Sequence, residues 1–246
     1  MTTAILSALP QEQSGLLAAL QHPQRVQHAG RVFTSGLLHG QRVVLALSGI
    51  GKVAAATTAT ALLERFGATR IVFTGVAGGV GEGVRVGDVV VAQGYVQHDM
   101  DASPLFERWL VPGYAQVCLP CDAALSALLS GAVSACLASA GGQFHSNPDG
   151  AAPRLHQGLV ASGDRFVNCA QVSHALREPL LAAGHDVLAV EMEGAAVAQV
   201  CLDYGVPFAA MRTISDRADA TAHVDFAHFV ENVASRYADH IVHGLL

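Results

Sequence analysis

Short apolar runs recur along the chain, several of them closed by Gly or a carboxylate, and they alternate with stretches of helical composition. "TAILSAL" (3–9) predicts a buried strand, and Glu12–Leu20 has helical composition. "RVFTSGLLHG" and "QRVVLALSG" predict two strands joined by a His-Gly turn at 39–40. "KVAAATTATALLERFG" (52–67) predicts a long helix stopped by Gly67. "TRIVFTG" (69–75) is apolar without alternation, the pattern of a strand covered on both faces. "GDVVVAQGYVQ" predicts a further strand, and residues 121–140 a helix. "GLVASGD" (158–164) and "DVLAVE" (186–191) read as strands, and "GAAVAQVCLDYG" as a helix ending at Gly205. "VPFAAMRTISD" reads as a strand running into a loop, and residues 225–243 as a last helix. The most loop-like stretch is 141–155. Strand and helix alternate throughout, which predicts a three-layer α/β/α sandwich around a central mixed sheet. No composition break or internal repeat interrupts it, so a single domain over residues 1–246 is expected.

Composition narrows the classes. Of the 246 residues, 51% are hydrophobic and only 14% charged, which fits a large buried core and excludes a disordered chain. So few charges leave little to cover the surface, and some apolar surface buried against a second subunit is expected. The net charge is -6 and no run of Lys or Arg tracks phosphates, which argues against nucleic acid. No apolar run reaches the roughly 18 residues of a membrane span. The opening "MTTAILSALPQEQSG" lacks a basic leader, so a cytoplasmic location is expected. Five cysteines, an odd number, read as free thiols. "CLPC" at 118–121 has metal-ligand or redox spacing, but it has no second pair beside it. We read it as coincidence and expect neither metal nor cofactor.

In such a fold, ligands bind where loops leave the carboxyl ends of strands. Those ends read "SALPQE", "SGIGK", "TGVAGG", "SGDRF", "VEMEG" and "RTISDRAD". Most have a plain alternative. "SGIGK" (48–52) suits a strand-to-helix turn with a solvated Lys52, and its spacing is not that of a P-loop. "TGVAGG" (74–79) suits a turn or an anion-binding nest. "TISDRAD" (213–219) suits a helix N-terminus, with Ser215 as cap and Asp216 and Asp219 near the positive dipole end. "VEMEG" is harder to dismiss. Burying an ionised carboxylate without a partner costs several kcal/mol, so Glu191 and Glu193 must be paired, exposed or used.

"SGIGKVAAA", "TGVAGG", "SGDRFV", "VEMEGAAVA" and "RTISDRAD", in this order and at these spacings, resemble the nucleoside phosphorylase/nucleosidase family. Within it the likeness is to the bacterial branch acting on 5′-methylthioadenosine and S-adenosylhomocysteine. It runs from "AILSALPQE" through "HVDFAHF". It implies a nucleoside phosphorylase-like fold, usually dimeric. It also implies a hydrolase that releases adenine and a 5-substituted ribose in methionine salvage, with no cofactor.

The resemblance assigns roles residue by residue. Glu193 falls on the ribose-binding glutamate, whose two oxygens suit a vicinal diol and whose charge favours an oxocarbenium-like sugar. Met192 would pack on the sugar. Asp216 falls on the acid that protonates adenine N7, oriented by Ser215, and it would need a raised pKa to do so. Glu12 falls on the base that activates water, and its plain alternative is an exposed residue in a helix's first turn. Arg212 resembles the arginine near ribose and water. Phe166 and Val167 resemble the pair that holds adenine, and Ile50 the residue lining the methylthio side. The neighbouring subunit would contribute near the 5′ group, through residues 98–106. Glu191 reads as a structural partner of an arginine or of backbone donors.

Three features depart from the pattern: Leu9 where relatives often carry Met, Val76 in place of a small polar residue, and residues 106–121, which are candidates to reshape the 5′ pocket. A phosphorylase needs two or more cations at the ribose, and only Lys52 stands in the glycine segments of the first half. Water therefore ranks ahead of phosphate as nucleophile. A purine nucleoside phosphorylase is the first alternative and a non-catalytic nucleoside-binding protein the second. The 5′ substituent stays open among methylthio, homocysteine, hydrogen and futalosine-type groups.

Overall fold

Strand β1 (Thr3–Ser7) is buried along its whole length and lies parallel to both β4 (Gln41–Leu47) and β5 (Arg70–Gly79). The computed structural model describes residues 1–139, 152–218, 229 and 235–245. At one edge, β2 (Gln21–His28) and β3 (Arg31–Leu38) continue the sheet antiparallel from β4. On the other side of β1 the sheet rolls up. β10 (Phe208–Asp216) runs parallel to β5 and antiparallel to β6 (Val89–Gln97). β6 pairs in parallel with β8 (Leu155–Ser162), and β8 with β9 (Val187–Glu191). β9 meets the far end of β5 antiparallel, so five strands close a ring. A two-residue strand, β7 (Leu119–Pro120), adds to β6.

The side chains sort into layers by strand alternation. Ile71 and Phe73 of β5, Val90 and Ala92 of β6, and Phe208 and Ala210 of β10 face one core. Helices α2 (Lys52–Glu64) and α5 (Gly194–Tyr204) cover it with Ala55, Ala59, Leu62, Ala195 and Val197. The intervening Val72, Val89, Val91, Ala209 and Met211 face the other core. There α3 (Ala123–Ser139) and α6 (Ser235–Leu245) supply Leu125, Leu129, Val133, Tyr237 and Ile241. The expected α/β/α layering around a mixed sheet is therefore observed. Two short or peripheral helices, α1 (Ser14–Ala19) and α4 (Ala170–Ala182), complete the described elements.

The elements depart from the sequence reading in informative places. β5 does not stop at Gly75 but runs through "TGVAGG" to Gly79. Its glycines permit close approach: a Cβ on Gly78 would lie 3.0 Å from Asp216 Oδ1, and one on Gly79 3.0 Å from Ile214 Cγ2. Likewise β10 continues through Asp216, so Ser215 caps no helix there. β2, "QHPQRVQH", is exposed at every position and carries no apolar alternation by which to see it. α4 has a proline inside it, which masks its helical pattern. Residues 141–151 of the expected loop, Asp219, and the start of the helix expected at 225–243 lie outside the described residues.

Among the described residues no helix is long and apolar enough to cross a membrane, and no cluster of three or more His, Cys, Asp or Glu is arranged to hold a metal. All five cysteines are free thiols. Burial pushes Cys136 up to about 11 and Cys201 up to about 12, which keeps both protonated and unreactive.

Candidate active site

The carboxyl ends of β1, β8, β9 and β10 and the glycine segment of β5 surround a cavity of about 270 Å³. Ala8, Leu9, Glu12, Ile50, Val76, Phe166, Val167, Met192, Glu193, Ser215 and Asp216 all line it. Arg212, expected among them, stands behind the wall.

Glu12 reaches the cavity because the chain turns sharply after β1. Pro10 opens a short 3₁₀ turn, Pro10–Gln13, and its third residue points inward. The carboxylate is gripped by backbone. Oε2 accepts from Ala8 N and Leu9 N at 2.9 Å each, and Oε1 from Val76 N at 3.2 Å. Val76 thus contributes its N–H, which does not depend on the departure from a polar side chain. Gly75 makes this approach possible, since a Cβ there would lie 3.3 Å from Glu12 Oε1. Burial pushes the Glu12 pKa up against the opposing N–H groups and the Arg212 charge.

The two carboxylates of "VEMEG" have different environments. Glu191 ends β9 and is saturated with donors. Its Oε2 accepts from Arg212 Nη2 at 2.8 Å and from Gly194 N at 2.8 Å, and the Ser162 hydroxyl donates to Oε1. It lies at the positive end of α5, where an anion is favoured. Arg212 is 1% exposed, stacks 4.0 Å above the Phe73 ring centroid and donates to the Phe73 and Met211 carbonyls. With its guanidinium turned to Glu191, Arg212 faces the cavity only through its field.

Glu193 carries less support. Its Oε1 accepts from Gly51 N at 2.8 Å. Burial, and then the charge of Glu191, push its pKa up to about 8. A folded-state pKa raised above the ordinary 4.5 costs stability once the unfolded chain ionises. No penalty exists while both states are protonated. It grows as pH rises from about 4.5 to about 8 and is complete above that, amounting to several kcal/mol. We expect Glu193→Gln to unfold at a higher temperature than the native chain at about pH 8.5, with the gap closing near pH 4.5, as thermal denaturation would show. A gap independent of pH would mean that Glu193 is not the strained group.

Asp216, 2% exposed, accepts from the Ser215 hydroxyl at 2.7 Å and from Ala218 N at 2.8 Å. Ala218 has φ 51°, a left-handed turn that brings its N–H back to the carboxylate. Phe166 and Ile50 stand at the rim, 42% and 62% exposed, whereas Val167 and Val190 are buried in the wall.

Lys52, the cation of the first-half glycine segments, and Arg212 are both engaged. Lys52 Nζ lies 2.5 Å from Asp99 Oδ1 and 3.1 Å from Gln97 Oε1, and Arg212 is paired with Glu191. Among the described residues, Arg165 is the cation on the cavity wall. The residue patterns did not point to Arg165, Val190 or the Gly51 N–H. A backbone donor has no residue-type signature, and its only trace is a glycine with φ 97°. Residues 106–121 lie off the cavity wall, with Trp109 buried and donating from Nε1 to His98 O at 3.2 Å.

A sequence model of the Phosphorylase superfamily matches residues 2–246. The 5′-methylthioadenosine/S-adenosylhomocysteine nucleosidase of Mycobacterium bovis is 37% identical, over 97% of this chain and 94% of that one. The Neisseria meningitidis nucleosidase of the same name, solved with methylthio-immucillin-A, superposes with a TM-score of 0.86 at 33% identity, covering 99% of this chain and 97% of that one. Futalosine hydrolase of Helicobacter pylori superposes with a TM-score of 0.83 at 30% identity, covering 99% and 97%. On the family match over nearly its whole length, with full-length relatives above 30% identity, the chain belongs to the phosphorylase superfamily.

Proposed function

We propose that the chain, acting as one domain, is an N-glycosidic hydrolase. It cleaves 5′-methylthioadenosine and S-adenosylhomocysteine to adenine and a 5-substituted ribose, with water as nucleophile. The observation that carries this reading is the meeting of Glu12, Glu193 and Asp216, three carboxylates in different environments, on one nucleoside-sized cavity. The names of the mycobacterial and neisserial relatives support the substrate class.

Each carboxylate has the chemistry its place requires. Adenine leaves poorly as an anion, and the burial of Asp216 and its hydrogen bond from Ser215 support its role as the acid that delivers a proton to N7. Glu193 takes the ribose hydroxyls and offers negative charge to the sugar as positive charge develops. Glu12, with both oxygens anchored by N–H groups, orients the attacking water and takes its proton. Phe166 stacks on the base, the Val167 backbone bonds its edge, Met192 packs on the sugar and Ile50 lines the 5′ side. Arg212 holds Glu191, and Glu191 caps the helix that begins at Gly194, next to Glu193. Phosphate is the weaker nucleophile candidate because Lys52 and Arg212 already hold carboxylates, leaving Arg165 as the cation on the wall among the described residues.

Leu105, 82% exposed, and Phe106, 43% exposed, belong to the 98–106 segment expected to complete a neighbour's 5′ pocket. A homodimer that covers them, working in the cytoplasm in methionine salvage, is part of the proposal. Light scattering is expected to give twice the monomer mass. Adenine release followed by chromatography tests the activity. 5′-Methylthioadenosine and S-adenosylhomocysteine are expected to be cleaved, and failure with these two, 5′-deoxyadenosine and futalosine alike would refute a nucleosidase.

A further inference from the structure

Helix α2 has no side-chain cap of its own, because its N-cap is Gly51. Carboxylates from two other strand ends take its leading N–H groups instead. Gly51 N donates to Glu193 Oε1 at 2.8 Å, and Lys52 N to Asp164 Oδ1 at 2.7 Å. Both acids sit at the positive end of the helix. Asp164 is itself held, its N–H donating to Asp99 Oδ2 at 2.9 Å while Asp99 Oδ1 accepts from Lys52 Nζ at 2.5 Å. Gln97 accepts a further Lys52 proton at 3.1 Å and is braced by Gln199 at 3.0 Å. Lys52, Asp99 and Asp164 thereby close a ring that joins the loops after β4, β6 and β8. Only glycine fits at 51, since φ is 97° and a Cβ would lie 3.1 Å from Asp164 Oδ1.

The loops joined here carry the cavity's rim. Ile50 adjoins Gly51, and Phe166 and Val167 follow Asp164 by two and three residues, while Asp164 itself is not on the cavity wall. We infer that Asp164 is a positioning residue. With Lys52 and Asp99 it clasps the base-side loop 163–167 to the 48–52 loop and so holds the Gly51 N–H on Glu193. The inference rests on the reading of Glu193 as the ribose-side carboxylate. Asp99 stays ionised in the clasp: burial would raise it, but Lys52 and the Asp164 N–H outweigh burial and hold it low.

The test reads Glu193 directly. Glu191 from its own loop, Arg212 from β10 and Glu12 from the 3₁₀ turn also face Glu193, but among its partners only the Gly51 N–H is held through Asp164. The unfolding-temperature gap between Glu193→Gln and the native chain is measured from about pH 4.5 to about pH 9, with Asp164 intact and with Asp164→Ala. With alanine, the midpoint of that gap is expected to move up by about one pH unit, because the Glu193 carboxylate loses a steady donor. Asp164→Asn keeps an oxygen toward Lys52 N and is expected to leave the midpoint in place. Lys52→Met opens the clasp from its far end and is expected to shift the midpoint in the same direction by less, which serves if the alanine variant does not fold. On 5′-methylthioadenosine, kcat/KM is expected to fall about tenfold or more with alanine and to recover with asparagine. An unmoved midpoint in both Asp164→Ala and Lys52→Met overturns the clasp. Absence of nucleoside cleavage by the native chain counts against the proposed function instead, and the unfolding measurement still reads the clasp.

Discussion

Asp216→Asn is expected to bind 5′-methylthioadenosine with near-native affinity and to lose turnover by about 10²- to 10⁴-fold, the usual contribution of a positioned general acid. Asparagine keeps the size of the side chain and an oxygen for the Ala218 N–H, which lies 2.8 Å from Oδ1 in the native chain. The Ser215 hydroxyl, 2.7 Å from Oδ2, can rotate to accept from the new amide. Shape and burial therefore survive, and only the transferable proton is lost. Isothermal titration for affinity and single-turnover adenine release for chemistry separate the two. Native turnover in the variant would remove Asp216 from the reaction.

Glu12→Gln is expected to lower kcat by about 10²- to 10⁴-fold as well, for the opposite reason, since it removes the proposed base for the attacking water. The environment sharpens the prediction. Both Glu12 oxygens accept from backbone N–H groups, so a glutamine must turn its NH₂ toward at least one of them. The most favourable orientation keeps oxygen on Ala8 and Leu9 and leaves the Val76 N–H unpaired, at about 1–3 kcal/mol. That cost is offset in part because a buried charge is no longer required. The expected signature is a large fall in kcat with a small change in unfolding temperature. In the proposed mechanism Glu12 and Glu193 act ionised and Asp216 protonated, and burial raises both glutamates, so the acid limb of kcat/KM in the native chain should climb toward about pH 8 before Asp216 loses its proton. A profile flat from about pH 6 to about pH 9 would contradict the ionised roles given to them.

The layered fold was legible because its central strands are buried on both faces and two of its helices are bounded by glycines, α2 between Gly51 and Gly67 and α5 before Gly205. The closed ring was not, because closure depends on β9 meeting the far end of β5 through Gly78 and Gly79. Glycines that read locally as a turn act there as clearance between strands. For the site, type and order of residues placed Glu12, Glu193 and Asp216 at strand ends, where the structure gathers them on one cavity. Pairing was less visible. Glu191 and Arg212 are 21 residues apart, and their ion pair, which takes Arg212 off the cavity wall, is formed only by the sheet. The grip of Ala8, Leu9 and Val76 on Glu12 is made by backbone, for which any residue type serves.

Glu12 and water, rather than phosphate, complete the account. The most direct measurement is adenine release from 5′-methylthioadenosine in phosphate-free buffer, repeated with added phosphate while phosphorus NMR watches for a sugar phosphate. The account predicts the same rate in both and no sugar phosphate. Release that depends on phosphate and yields a ribose 1-phosphate would contradict it.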